Sequence, residues 1–310
     1  MKSLVARHPV AAAVPVLLLL LIATVGSWLG PSYRQYLALE SIRRNSPDCY
    51  VYGKGASVLP GWMQRIAGVE WSARFRRLKR VEMQMPNRRE QVDLQSVNAF
   101  VDMEELAIEG CRVVPAQLDG VSGLPHLEYI GLSTCVLKGD GIFHLEDLPE
   151  LRRCEFKRVE FRGVRFSGLP KLELLSFKQT GLEDETLKEL TALPSLKYLG
   201  VSDSRITDAG MPVLAEIPNL RMLDLRIGGE QPDGSTSPAL SVEALRGLRE
   251  STTLQGVRLL DSCHKASCAD LNDGLDQPLF LLEHQHYTEW NRLFYENSLR
   301  GPGAFLQYNR

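Results

Sequence analysis

Five residues near the carboxy terminus carry side chains suited to metal binding or redox chemistry: Cys263, His264, Cys268, His284 and His286. Thiolate sulfur and imidazole nitrogen are the usual ligands of zinc. The spacing matches no named zinc motif, because four residues separate Cys263 from Cys268 and one separates His284 from His286. Three readings stand side by side: a local disulfide between Cys263 and Cys268 in an exported chain, free thiols, or a metal centre. Other chemistry is harder to place. The chain holds no G-x-S-x-G elbow and no H-E-x-x-H pair. The stretch GGEQPDG lacks the G-K-S/T ending of a phosphate-cradling loop. No nucleophile stands with a recognisable base, so we assign no catalytic residue, no cofactor and no metal to the first reading of this sequence.

The chain has 310 residues, of which 44% are hydrophobic and 24% charged, with a net charge of −2 and six cysteines. This is ordinary globular composition. It excludes the strong basic balance of a nucleic-acid binder and the cysteine density of a disulfide scaffold. The amino terminus departs from it. Val10 to Gly30 carries no charge, and at ~1.5 Å per residue that run makes a helix of about 31 Å, the thickness of a bilayer core. Lys2, Arg7 and His8 precede it, Trp28 and Tyr33 sit where interfacial aromatics sit, and Pro15 lies near its start. We read it as an uncleaved single-pass anchor with the rest of the chain outside the cytoplasm. The alternative is a secreted protein, cleaved near Val25-Gly26-Ser27. Arg34, Arg43 and Arg44 compete with the preceding basic residues, so orientation stays open.

An internal repeat fixes the fold class. The template L-x-x-L-x-L, with apolar substitution, matches at Leu78-Val81-Met83, Met103-Leu106-Ile108, Leu127-Ile130-Leu132 and Leu151-Cys154-Phe156. It recurs at Leu172-Leu175-Phe177, Leu196-Leu199-Val201, Leu220-Leu223-Leu225 and Leu254-Val257-Leu259. The start-to-start intervals are 25, 24, 24, 21, 24, 24 and 34. The last two apolar positions alternate as in a short strand with one buried face. The second part of each unit, such as Leu187-Leu190-Leu193 or Met211-Leu214-Ile217, has the spacing of a short helix or 3₁₀ turn. Pro125, Pro149, Pro170, Pro194 and Pro218 end these outer segments. One unit cannot bury its own apolar face; stacked units bury each other's. The expected fold is therefore α/β: a solenoid of about eight repeats, with a parallel β-sheet on the concave face and helices or 3₁₀ turns outside. Where each unit turns inward the chain places Pro86, Cys111, Cys135, Val159, Thr180, Ser204, Gly228 and Ser262, which gives Cys111 and Cys135 a structural role, as Cys154 has at a core leucine position.

The pattern resembles a leucine-rich repeat protein. More narrowly, SRITDAGMPVLAEIPNLRMLDL resembles the T-D-x-G-L repeats of bacterial, planctomycete-type proteins, with Ile206-Thr207-Asp208-Ala209-Gly210 closest to the motif. The region YRQYLALESIRRNSPDCYVYGKG, followed by PGWMQRIAGVEW, is similar to what those proteins place between a membrane anchor and the first repeat. The resemblance implies the fold and says little about function. In such a repeat, residues flanking the buried leucines project from the concave face. The first column is Arg80, Glu105, Tyr129, Arg153, Leu174, Tyr198, Met222 and Gly256. The second is Glu82, Ala107, Gly131, Glu155, Ser176, Gly200, Asp224 and Arg258, and the third Gln84, Glu109, Ser133, Lys157, Lys178, Ser202, Arg226 and Leu260. From these the candidate binding residues are Tyr129, Arg153, Lys157, Lys178, Tyr198, Asp224, Arg226 and Arg258. Tyr and Arg are common interface anchors. Gly131 and Gly200 leave room beside Tyr129 and Tyr198, and Lys157, Lys178 and Arg226 form a basic stripe suited to an acidic partner. Asp203 and Asp208 read as exposed or capping positions.

The organisation expected is a basic start (1–9), a transmembrane or signal-anchor helix (10–30), and a juxtamembrane helix with an amino-terminal cap (31–77). Next come the repeats (78–264, with an insertion loop at 227–238) and a carboxy-terminal cap or tail (265–310). Ser32 to Arg44 reads as a separate amphipathic helix, Cys49 to Val51 as a short strand, Leu59 to Ala67 as helix, and Cys49 to Arg77 as the cap. Arg74, Arg76, Arg77, Lys79 and Arg80 form a basic run, read as a solvated face or a site for anionic lipid headgroups. Pro278 to Leu299 reads as a helix carrying Phe280, Tyr287, Trp290 and Phe294 on one side. The function expected is a non-catalytic protein-interaction module held at a membrane through residues 10–30, binding protein and not nucleic acid. The alternatives are a metal- or redox-active envelope enzyme using the Cys/His cluster, and a ubiquitin-ligase-type adaptor. The adaptor needs a recruiting domain where this chain has its apolar segment.

Overall fold

The computed structural model describes residues 9–85, 94–113, 121–137, 142–159, 163–226, 240–260, 270–276 and 278–282. Helix α1 (Pro9–Asn45) is followed by β1 (Tyr50–Ser57), α2 (Gly61–Ala73) and β2 (Arg76–Gln84). The succession continues with β3 (Glu105–Glu109), β4 (Arg112–Val113), β5 (Tyr129–Ser133), β6 (Val136–Leu137), β7 (Ile142–Glu146), β8 (Arg153–Lys157), β9 (Gly163–Ser167) and β10 (Leu174–Lys178). It closes with α3 (Asp184–Leu190), β11 (Tyr198–Ser202), α4 (Met211–Ala215), β12 (Met222–Arg226), α5 (Val242–Gly247), β13 (Gly256–Leu260) and β14 (Phe280–Leu282).

Ten strands form one sheet in the order β1-β2-β3-β5-β8-β10-β11-β12-β13-β14. All its pairings are parallel except β1 with β2. Each L-x-x-L-x-L match supplies one strand, and the second apolar positions fall side by side: Val81, Leu106, Ile130, Cys154, Leu175, Leu199, Leu223 and Val257. All eight are buried, as are the residues two positions further on. Phe143, Phe156 and Phe177 pack through the middle, Phe143 edge-on to Phe156 at 5.2 Å and Phe156 stacked on Phe177 at 5.3 Å.

Five strands of the sheet, β3, β5, β8, β10 and β11, are each followed by a residue of the same unusual conformation. Gly110, Thr134, Arg158, Gln179 and Asp203 have φ of 69°, 56°, 51°, 51° and 50°. This left-handed turn sends the next side chain inward, so Cys111, Cys135, Val159, Thr180 and Ser204 are buried. The N–H of each turn residue continues the ladder, donating to the carbonyl of the last residue of the following strand, as Met85 also does to Glu109. Gly110, Thr134, Arg158, Gln179 and Asp203 donate to Ser133, Lys157, Lys178, Ser202 and Arg226 at 2.7–3.2 Å. The T-D motif adds a second link between units. Asp184 accepts from the Thr207 N–H at 2.9 Å, and Asp208 accepts from the Ser241 N–H at 2.8 Å. The hydrogen bonds from Ser241 hold the Asp208 carboxyl below its ordinary range.

The outer side is not all helical, as the repeat pattern had suggested. Helices α3, α4 and α5 occupy later units, but β7 and β9 pair in parallel where an earlier helix was expected. Ile142 to Glu146 and Gly163 to Ser167 alternate buried and more exposed residues, with Phe143, Leu145, Val164 and Phe166 inside. That is a strand period rather than a helical one, and the shortest interval, 21 residues, falls here.

Both ends of the array differ from expectation. The apolar segment and the juxtamembrane helix are a single rod, α1, of 37 residues. The side chains of Val16 to Ile22 are exposed, while Ser32, Gln35, Ala38 and Ile42 are buried one turn apart on the face that packs against the first units. Thus the carboxy-terminal half of α1 shares the capping role first given to Cys49 through Arg77. Gln35 locks it: its carbonyl accepts from the Leu78 N–H at 2.8 Å, and its amide donates to Asp102 at 3.2 Å. Only α1, over Val16–Asn45, is long and apolar enough among the described residues to cross a membrane, as a span or a signal sequence would be. At the other end Phe280 to Leu282 is a strand beside β13, not the start of a helix. The register thus continues 23 residues beyond Val257, where Phe280 is its partner. Asn272 secures this strand, accepting from the Phe280 N–H at 2.9 Å and donating to its carbonyl at 2.8 Å.

Two stability predictions follow from these links. A β-branched residue pays about 1–2 kcal/mol for a left-handed backbone. Thr134→Gly will therefore stabilise the protein by about 1 kcal/mol after the glycine's greater unfolded entropy is counted, raising the melting temperature by about 2 °C. Gln35→Ala leaves a buried N–H without its acceptor and will destabilise by about 1–3 kcal/mol in chemical denaturation.

Candidate protein-binding face

The three columns read from the sequence are true lateral neighbours. Arg80, Glu105, Tyr129, Arg153, Leu174, Tyr198, Met222 and Gly256 are register partners across eight strands, as are the residues two and four places further on. Neighbouring strands lie about 4.8 Å apart, so side chains in one column touch or pair with the next. The eight candidate binding residues share this open face, opposite the buried leucines, and fall into distinct groups.

Tyr129 and Arg153 form the first group. The Arg153 guanidinium lies over the Tyr129 ring, 5.5 Å from its centroid. The phenol donates to Glu155, and burial pushes the Tyr129 hydroxyl well above its ordinary value. The room expected beside Gly131 is filled by Tyr129 itself: a Cβ at Gly131 would stand 2.4 Å from the Tyr129 Oη. Next to this group Arg80 pairs with Glu82 at 2.9 Å and Glu105 at 3.2 Å. Burial raises the Glu105 carboxyl, and the nearby Arg80 and Arg153 oppose the shift. The amino-terminal part of the face is thus a knitted polar network of alternating charge, which makes Tyr129 and Arg153 a rigid surface rather than loose anchors.

The carboxy-terminal part differs. Lys157 and Lys178 are direct register partners on β8 and β10, both half-buried. Leu174, Tyr198 and Met222 form an apolar row on the first column, with Leu174 buried and the other two half-buried. Arg226 continues the basic column and lies 3.6 Å from Asp203. Asp203, expected at an exposed or capping position, is only 1% exposed, with the Arg226 guanidinium beside it. Asp224 pairs with Arg258 across β12 and β13. Sequence reading picked single residues and passed over Arg80, Glu82, Glu105 and Glu155 as a network. Their alternating signs at the repeat interval were the available signal.

The described cysteines, Cys49, Cys111, Cys135 and Cys154, are buried free thiols. Cys49 and Cys111 are hydrogen-bonded, which lowers the Cys49 thiol and raises that of Cys111. Burial pushes Cys135 up to about 11 and raises Cys154 well above its ordinary value. Among the described residues no group of three or more His, Cys, Asp or Glu side chains is placed to hold a metal ion. Cys263, His264, Cys268, His284 and His286 lie outside the described residues, as does the insertion at 227–238.

Glu155 supplies a pH test of the network. Burial raises its carboxyl above the ordinary 4.5, against the opposing pull of Arg153, Tyr129 and Lys157. The folded state therefore holds more protons than the unfolded chain between pH 4.5 and the raised value, and stability falls as pH rises through that window. Glu155→Gln will raise stability at neutral pH and flatten this decline in denaturation curves taken across pH.

No protein-family model matches this chain, and no curated protein matches it either. Among solved structures, the plant peptide hormone receptor RGFR1 in complex with RGF2 is similar at 15% identity and a TM-score of 0.29. The match covers 58% of this chain and 31% of the receptor chain, so this chain spans about a third of that protein's length.

Proposed function

We propose that this protein is a membrane-anchored leucine-rich-repeat protein that captures a protein partner on the open face of its sheet, without catalysis. The observation that carries the reading is the in-register array of side chains on a hydrogen-bonded backbone, which presents fixed rows of charge and one apolar row. The resemblance of the Ile206 to Gly210 unit to bacterial T-D-x-G-L repeats supports the fold name. The exposed apolar half of α1 supports the anchor, with the repeats outside the cytoplasm.

The carboxy-terminal part of the face is the contact region. Lys157, Lys178 and Arg226 draw an acidic surface by long-range attraction. Tyr198, set between Leu174 and Met222, supplies the aromatic anchor around which a partner excludes water. The pre-paired Tyr129, Arg153 and Glu155 group keeps its geometry on binding and sets register rather than energy.

Charge reversal at both lysines with Tyr198→Ala tests this. Truncating an interface anchor costs about 2 kcal/mol. The triple variant will therefore lose about tenfold or more in affinity for the partner cross-linked to the anchored protein in its own membrane, while keeping the parent's circular dichroism. Unchanged capture would place the binding site elsewhere.

A further inference from the structure

Helix α2 has no core of its own. Of its 13 residues only Ser72 is buried. Trp62, Ile66, Val69 and Trp71 are 57%, 80%, 81% and 45% exposed. Apart from α1, the large apolar side chains exposed among the described residues concentrate here and on Tyr50 and Tyr52 of the adjoining strand; elsewhere they are single valines. Trp62 and Ile66 lie one turn apart on one side of the helix. Gly68, at φ 79°, breaks the helix before Val69. A patch of this kind on a soluble surface marks a contact with something else.

The carboxy-terminal end of α2 is fixed at one level of α1. Trp71 packs on Phe75 with centroids 4.8 Å apart, and Phe75 stacks on Tyr33 at 6.0 Å. Arg74 lies over the Tyr36 ring at 5.4 Å. Tyr33 is the last residue of the uncharged stretch, immediately before Arg34. Thus α2 joins α1 at the height where the apolar segment gives way to polar chain. Trp and Tyr are the side chains favoured at a lipid headgroup boundary. The charge on this side suits anionic headgroups: Arg65, Arg74 and Arg76 are exposed, and Glu70 is the only carboxylate on α2. Arg77 and Lys79 are engaged with Asp102 and Glu104 instead.

We infer that α2 lies in the bilayer interface beside α1, with Trp62, Ile66, Val69 and Trp71 among the lipid headgroups and upper acyl chains. The inference rests on the reading of α1 as an anchor. It gives the protein two lipid contacts, a spanning helix and an interfacial one, and it seats the amino-terminal end of the sheet on the membrane surface.

The test uses the full chain in phosphatidylcholine vesicles containing phosphatidylglycerol, with and without brominated acyl chains. The four tryptophans are Trp28, Trp62, Trp71 and Trp290. A Trp28→Phe, Trp290→Phe chain reports α2 alone, and its emission will fall roughly twofold in brominated vesicles, as for an interfacial helix. A Trp62→Phe, Trp71→Phe, Trp290→Phe chain reports the anchor through Trp28. Quenching of Trp28 without quenching of Trp62 and Trp71 would overturn the inference and leave the anchor standing. Absence of quenching in both chains would remove the anchor and the inference together. Unquenched Trp62 and Trp71 in a cross-linkable dimer would show a second copy covering α2, and would equally overturn it.

Discussion

A strand only five residues long with one apolar face is not stable alone, and each unit of this chain depends on the next being in register. A left-handed residue after each of β3, β5, β8, β10 and β11 supports that register. It turns the chain inward at a fixed point, and its N–H reaches across to the following strand end. Four of the five such residues are not glycine, so the chain accepts a local backbone cost at each unit. The return is repeated burial: a leucine-like pair on every strand and a small side chain at every inward turn. A change of one residue between strand and turn would flip the alternation and expose the core face.

That constraint also shapes the open face. Because strands align without offset, a charge on one strand meets a charge or ring on the next at hydrogen-bonding distance. The network from Arg80 through Glu155 follows directly. It holds several ionisable groups partly away from water, where burial raises Glu105 and Glu155, and opposite charges meet within it, Arg80 with Glu82 and Glu105. At Lys157 and Lys178 two like charges stand in register on neighbouring strands.

Much of this architecture is legible in the spacing of apolar residues. The eight template matches fall on strands at their written positions, and the T-D motif carries a capping role that links Asp208 to Ser241. The readings that missed did so for physical reasons. At β14 the position corresponding to the first template leucine is Gln277, so the pattern lapses although Phe280 and Leu282 continue it. The outer strands β7 and β9 are short enough for a helical and an alternating pattern to share apolar residues. Asp203 is polar by type yet buried beside Arg226, a pairing between neighbouring units that side-chain hydropathy does not record. The face residues were placed correctly in rows, but whether Tyr129 covers Gly131 or leaves it open depends on rotamer and neighbouring charge, which spacing does not carry.

Helix α1 runs without interruption from the apolar segment into the packed cap, and Gln35 fixes its rotation against β2. Two halves of one rod share a phase. Each residue in a helix advances about 100° and ~1.5 Å. The compass bearing of the open face about the rod is therefore counted in residues between the apolar run and Gln35. Adding or removing a single residue there would swing the whole array through more than a right angle without altering any contact inside it.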